Sequence, residues 1–182
     1  MVKLELPHGT YEGEVLDGKA SGKGKLIYKN GENYEGDVLD GKPHGIGKLI
    51  YKSGGIYEGE FNNGVKEGNG KYINKNENVM SQGKFKNDTI QEGTVTTSSL
   101  TQTGKFIDGV MYDEDGSIKY HKLNSEYKGG IKNAKLDGKG KYEFNGISET
   151  IEDKNSKGFY EGDFKNNKKH GKGTLTQLNT IL

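Results

Sequence analysis

Four histidines, a set of carboxylates in one repeating phase and two glycine-bearing loops are the residues in this chain whose types suggest chemistry. His8, His44, His121 and His170 stand far apart in sequence, and His44 and His170 each directly precede a glycine of the same local pattern. Glu12, Glu35, Glu58 and Glu161 also share one phase, each between a tyrosine and a glycine. A residue placed by repetition serves the repeated structure first. Hydrogen bonding to turns or strands is therefore expected of these groups, and not paired acid–base work. The segment Gly18-Lys19-Ala20-Ser21-Gly22-Lys23-Gly24 has the composition of a phosphate loop. It lacks the spacing of that motif and the hydroxyl residue after its lysine. Asp113-Glu114-Asp115-Gly116 has the look of a calcium loop. With Gly116 at the sixth place, Met111 would fall at the first ligand position and Lys122 at the twelfth, so both ends fail. No catalytic set, metal or cofactor follows from these residues.

The elements that carry them are strands. Tyr11-Glu12-Gly13-Glu14-Val15 returns as Tyr34-Glu35-Gly36-Asp37-Val38 and as Tyr57-Glu58-Gly59-Glu60-Phe61, at a constant step of 23 residues. Two later copies open at Tyr127-Lys128-Gly129 and Tyr160-Glu161-Gly162. Each opening is followed, 9 and 11 residues after its first glycine, by a second pair: Gly22/Gly24, Gly45/Gly47, Gly68/Gly70, Gly138/Gly140 and Gly171/Gly173. Degraded copies open at Ser81 and Thr103, and Leu4 and Leu6 read as the closing strand of a half repeat. Within a copy, Tyr11 to Leu16 alternates as a strand, Asp17 to Gly22 is rich in turn formers, and Lys23 to Lys29 forms the return strand. Asn30-Gly31 reads as a tight hairpin turn. The glycines share a face with the aromatics, which leaves room for a ring to lie over the neighbouring backbone. One copy buries too little to fold alone, so neighbours must stack.

This pattern resembles the MORN repeat (membrane occupation and recognition nexus). It fits residues 11–79 and 127–176 well and 80–126 poorly. The resemblance implies an all-β fold: an elongated single-layer array of antiparallel β-hairpins, here one repeat domain over 1–182. A ten-residue lengthening near 147–157 reads as an inserted loop.

Composition limits what such an array could do. The net charge is +1, and every basic side chain is lysine. A nucleic-acid partner is therefore not expected. The chain has no cysteine, which excludes disulfides and thiol chemistry. No apolar run approaches the ~20 residues of a membrane-spanning helix. The start of the chain is too polar for a signal peptide, so a cytoplasmic protein is expected, with membrane or cytoskeletal association an open alternative.

Three surfaces are candidates for binding. The first is an aromatic groove of Tyr11, Tyr28, Tyr34, Tyr51, Tyr57 and Tyr72 with Leu26, Leu49 and Phe61, suited to a protein partner. Its rival is that the rings merely pack on their own glycines. The second is an apolar patch on the reverse face: Leu16, Ile27, Leu39, Ile50 and Ile73. The third is a lysine cluster, Lys165, Lys168, Lys169 and Lys172, that could meet acidic phospholipid. The uncharged tail Leu175 to Leu182 could cap the array or pair with a second copy at an end strand. The expected function is a non-catalytic, possible self-associating protein–protein scaffold. The alternatives are a peripheral membrane adaptor and an accessory module of a partner enzyme, the last two following from the family resemblance.

Overall fold

The computed structural model describes residues 1–145 and 157–178. The described residues contain no helix. They form an open antiparallel sheet of consecutive hairpins. Its strands are β1 (Val2–Leu6), β2 (Gly9–Leu16), β3 (Lys19–Tyr28), β4 (Asn33–Leu39), β5 (Lys42–Ile50), β6 (Ile56–Asn62), β7 (Val65–Asn74) and β8 (Val79–Lys86). They continue as β9 (Thr89–Thr96), β10 (Leu100–Ile107), β11 (Val110–Met111), β12 (Asp113–Tyr120), β13 (Ser125–Lys132), β14 (Lys135–Asn145), β15 (Lys157–Lys165) and β16 (Lys168–Leu178). Strand order follows chain order, except that the short β11 pairs with β10 alone. The chain divides into two compact units, Met1–Gln91 and Glu92–Leu182. The division falls within the degenerate segment 80–126. Most of the inserted loop expected over 147–157 lies outside the described residues, as do the tail residues 179–182; Lys157 opens β15.

The first turn falls within the expected Asp17–Gly22 segment but is shorter than expected. In the first unit Asp17-Gly18, Asp40-Gly41 and Asn63-Gly64 are two-residue turns with both residues at positive φ. That pairing of signs matches the right-handed twist of the flanking strands, and Asp, Asn and Gly tolerate it best. The return strand therefore starts at Lys19, not at Lys23. Asn30-Gly31 sits in a wider connection, where Asn30 Oδ1 accepts the Glu32 N–H at 3.0 Å and the Tyr28 carbonyl accepts the Gly31 N–H at 3.0 Å. The degraded copies keep the same device at Asn87-Asp88 and Asp108-Gly109. Several of these turns also dock on the hairpin before them. The Gly41 N–H donates to the Ala20 carbonyl at 2.9 Å, and the Gly64 N–H to the Pro43 carbonyl at 2.8 Å. These bonds tie one copy to the next through the backbone, whatever the side chains.

Glycines align into a seam that crosses the strands. In the first unit Gly13, Gly24, Gly36, Gly47, Gly59, Gly70 and Gly83 are successive cross-strand partners. In the second, Gly116, Gly129, Gly140, Gly162 and Gly173 continue in the same way. On one face each repeat tyrosine lies over this seam. A Cβ on Gly24, Gly47 or Gly70 would sit inside the ring of Tyr11, Tyr34 or Tyr57. The hydroxyl explains why the residue is tyrosine and not phenylalanine. Tyr11 Oη donates to the Glu14 carbonyl at 2.7 Å, Tyr34 Oη to Asp37 at 2.6 Å and Tyr127 Oη to Gly130 at 2.9 Å. The ring covers backbone while its tip satisfies a carbonyl that the strand partner leaves free.

Those carbonyls sit at a bulge. The pairing skips between Gly13 and Val15, and again between Gly36 and Val38 and between Gly59 and Phe61. Opposite each skip, Gly22, Gly45 and Gly68 take φ of 100°, 63° and 91°, a conformation that glycine adopts without strain. A bulge bends the strand that carries it. His8, at the β1–β2 connection, brings its Nε2 to 3.2 Å from the carbonyl of Gly41 at the far end of the hairpins. The strand ends close over the rings and make a core from a single layer.

Candidate functional site

The aromatic face is that core. Tyr11, Tyr34 and Tyr57 are fully buried, and Leu26 and Phe61 nearly so. Tyr57 meets Phe61 and Phe85 edge to face, with ring centroids 5.1 and 5.2 Å apart. These five members of the expected aromatic groove are thus unavailable to a partner, because the bent strands and the next copy's residues cover them. Tyr28, Leu49, Tyr51 and Tyr72 remain half-buried. Lys66 takes an inward-facing place that Ala20, Pro43 and Leu136 hold in other copies. Its Nζ lies 5.5 to 5.8 Å from the ring centroids of Tyr51, Tyr57, Tyr72 and Phe85. Burial pulls its pKa below the usual lysine range, with Asp88 opposing.

The open surface lies on the other side of the seam. There the glycine backbone floors a groove of about 1250 Å³, lined in the first unit by Glu12, Lys25, Glu35, Lys48 and Glu58 along one wall and by Glu14, Lys23 and Ile46 along the other. The first wall is a charge ladder. Lys3, Glu12, Lys25, Glu35, Lys48, Glu58 and Lys71 are successive cross-strand partners, so sign alternates at every strand. Lys48 Nζ lies 2.7 Å from Glu58 Oε1, and that hydrogen bond holds the Glu58 carboxyl below its ordinary range. The in-phase glutamates Glu12 and Glu58 therefore pair with lysines instead of holding turns. The acid two residues further on does that work. Glu14, Asp37 and Glu60 accept the bulge N–H of Lys23, Ile46 and Asn69 at 3.0, 3.0 and 2.7 Å. Asp37 also holds Lys23 Nζ at 2.6 Å, the first cause of its lowered pKa. Asp37→Ala is expected to destabilise the chain by about 1–2 kcal/mol in urea unfolding, because the Ile46 N–H loses a charged acceptor.

The apolar patch expected on this face divides into two strips. Ile27 and Ile50 flank Asn33 in register, and Ile50, Ile56, Ile73 and Met80 continue as direct partners. Leu16 and Leu39 stand beside the two-residue turns, at the opposite ends of the strands. The strands are too long for the two strips to touch, and the groove runs between them. Ile27, Leu39 and Ile50 are exposed at about 40 %, and Leu16 at 65 %. Ile46, 59 % exposed, stands in the groove itself.

The lysines expected to meet lipid also separate. Lys165 and Lys168 oppose each other beside a turn, and Lys172 lines the groove of the second unit. Lys169 faces the other way, with Nζ 4.9 Å from the centroid of the buried Tyr160 ring. The four histidines remain apart. His8 leans on Tyr28, His44 lends its carbonyl to Tyr34, His121 meets Thr101 at 2.9 Å, and His170 is exposed. The calcium-like loop lies in strand β12, where Asp113 Oδ2 accepts the Lys105 N–H at 2.8 Å. Among the described residues no three His, Asp or Glu gather as metal ligands.

Two features escaped the sequence reading. The Glu–Lys ladder was visible as glutamate followed by lysine at a constant 13-residue offset: Glu12/Lys25, Glu35/Lys48 and Glu58/Lys71. Met111 was not visible. Its side chain packs on Gly104 and Gly116 in the second unit, where the degraded copy has no leading tyrosine.

A glycine-seamed sheet of hairpins, its well-formed copies pinned by tyrosines, defines a β-hairpin repeat protein. The MORN repeat model matches residues 11–32, 34–56, 57–79, 127–146 and 160–177. These cover more than half the chain, and the chain belongs to the MORN repeat family. Comparison with curated proteins gives no match.

Proposed function

We propose that this chain is a non-catalytic scaffold whose partner is another protein, held on the reverse face of the first unit. The observation that carries this reading is the division of labour between faces. One face uses its rings for its own core, while the other leaves an open groove with a bare backbone floor, Ile46 exposed in it and Ile27 and Ile50 exposed beside it. Exposed apolar side chains in a strip, rimmed by charge, favour protein contact over solvent. The divided lysine set offers less support for a membrane adaptor. A second copy of the chain is one partner within this reading, through the edge strand β16, where Leu175 and Leu178 are 46 % and 59 % exposed.

The test is affinity capture with quantitative mass spectrometry, using the wild type and two variants. Proteins held by the wild type should be lost from Ile46→Glu/Ile50→Glu and retained by Lys19→Glu, which lies outside the groove. Equal capture by all three, or preferential sedimentation with acidic vesicles at physiological salt, would overturn the reading. Analytical ultracentrifugation of Leu175→Glu decides the self-association separately.

A further inference from the structure

The second unit repeats the groove with one change of sign. In four of the five well-formed copies the residue between the repeat tyrosine and glycine is glutamate: Glu12, Glu35, Glu58 and Glu161. In the remaining copy it is Lys128. Its direct cross-strand partner is Lys141, so two lysines face each other where other hairpins pair glutamate with lysine or threonine. Like charges at such positions are unfavourable, because opposite Cβ atoms stand only about 5 Å apart. The lysines lack an acid across their own hairpin and turn along their strands instead. Lys128 Nζ lies 3.5 Å from Glu126 and Lys141 Nζ 2.7 Å from Glu143. Those two glutamates lie away from the seam, outside the groove lining, whereas both lysines line it.

The neighbours make this a place for an anion. Gly129 and Gly140, partners on the seam, leave the floor bare beside the lysines. Ser117 stands opposite Lys128 on β12 and offers a hydroxyl. Lys139 lines the groove across the seam. Of the acids there, Glu161 is the direct partner of Lys141 on β15, whose Nζ also lies 4.3 Å from the Phe159 ring centroid; Glu114 and Asp115 line the groove beside the seam, and Asp163 is already engaged by the Lys172 N–H at 3.2 Å.

We infer that Lys128 and Lys141 together bind one carboxylate of an acidic peptide laid extended along the glycine floor of the second unit. Binding draws the two ammonium groups from Glu126 and Glu143 toward one acceptor, which takes the place of the glutamate that other copies carry at the position of Lys128. A peptide fits better than a membrane surface, because a narrow chain reaches a recessed floor between side-chain walls and a planar bilayer does not. The inference deepens the scaffold reading by naming the chemistry of a bound segment, and it concerns the second unit alone.

The experiment measures fluorescence anisotropy of a labelled eight-residue peptide of alternating Gly and Glu against the full chain at low and physiological salt. The matching Gly/Gln peptide, a phosphoserine peptide and acidic vesicles serve as the other arms. Lys128→Glu restores the residue found in the other copies and so should preserve the fold, checked by its circular dichroism. The expected result is binding of the Glu peptide that weakens about tenfold in Lys128→Glu, disappears for the Gln peptide and is unchanged in Lys168→Glu, which makes the same change of net charge elsewhere in the unit. No binding of the Glu peptide, equal loss in both variants, or a clear preference for vesicles or the phosphopeptide overturns the inference. Because Ile46 lies in the other unit, failure here leaves the capture experiment above independent.

Discussion

Gly47→Val is expected to unfold the first unit under conditions in which the wild type is fully folded. The new Cβ would occupy the space of the Tyr34 ring, and the ring has nowhere to go. Tyr34 is fully buried and meets Phe61 edge to face at 5.1 Å. Its hydroxyl is fixed on the Asp37 carbonyl. Forcing volume into such a site costs about 3 kcal/mol or more, a large part of what a unit of this size commands. In a stacked array the loss also spreads to the neighbouring copies. Urea unfolding followed by circular dichroism reads the effect. Tyr34→Phe should cost only about 1 kcal/mol, since it removes one hydrogen bond and keeps the ring. The double variant Gly47→Val/Tyr34→Ala should be less damaged than the sum of its parts, because the valine then enters a vacated space. Additive losses would mean that the ring and the glycine do not share that space.

Alkali should unfold the chain in a narrow range above pH 10, and the tyrosines should be the cause. Burial raises the pKa of Tyr28, Tyr57, Tyr120 and Tyr127 to about 12. Nearby groups add to this: Glu32 at Tyr28, Glu60 at Tyr57, Tyr142 at Tyr120 and Asp137 at Tyr127. Tyr34 and Tyr51 are raised by the same desolvation. In the unfolded chain these phenols titrate near ~10. Between the two values the unfolded state holds fewer protons than the folded one, so stability falls as pH rises. Below the unfolded value the phenols are neutral in both states and contribute no pH dependence. The measurement is tyrosinate absorbance against pH, recorded with circular dichroism. The phenols should ionise late and together, at the pH where the strand signal disappears. Independent titration near ~10 with the sheet intact would show that the rings are solvated and that the single layer does not close over them.

Much of the architecture was legible in one dimension, because a repeat states its structure several times over. The tyrosine openings and the paired glycines predict hairpins, their order, and rings placed over strand backbone. The mistake over the turn has a local cause. Asn30-Gly31 and Asp17-Gly18 carry equally good turn signals, and only the pairing of Leu16 with Lys19 decides which of them closes the tight hairpin. The degraded copies also kept their hairpins against the weak signal, since Asn87-Asp88 and Asp108-Gly109 supply turn chemistry without a leading tyrosine.

Residue types alone determined that this chain is an all-β repeat with an aromatic face lying on glycine, because side-chain alternation and the glycine spacing admit little else. Which surface stays open was decided only by the tertiary structure. Alternation assigns a residue to a face, but it does not report that strands bend at Gly22, Gly45 and Gly68 and fold the aromatic face into a core. Nor does it report that Leu16 and Ile27, on one face, lie at opposite strand ends. The ladder broken at Lys128 needs both kinds of knowledge: the changed letter is written in the chain, and the lysine that faces it is set by strand register.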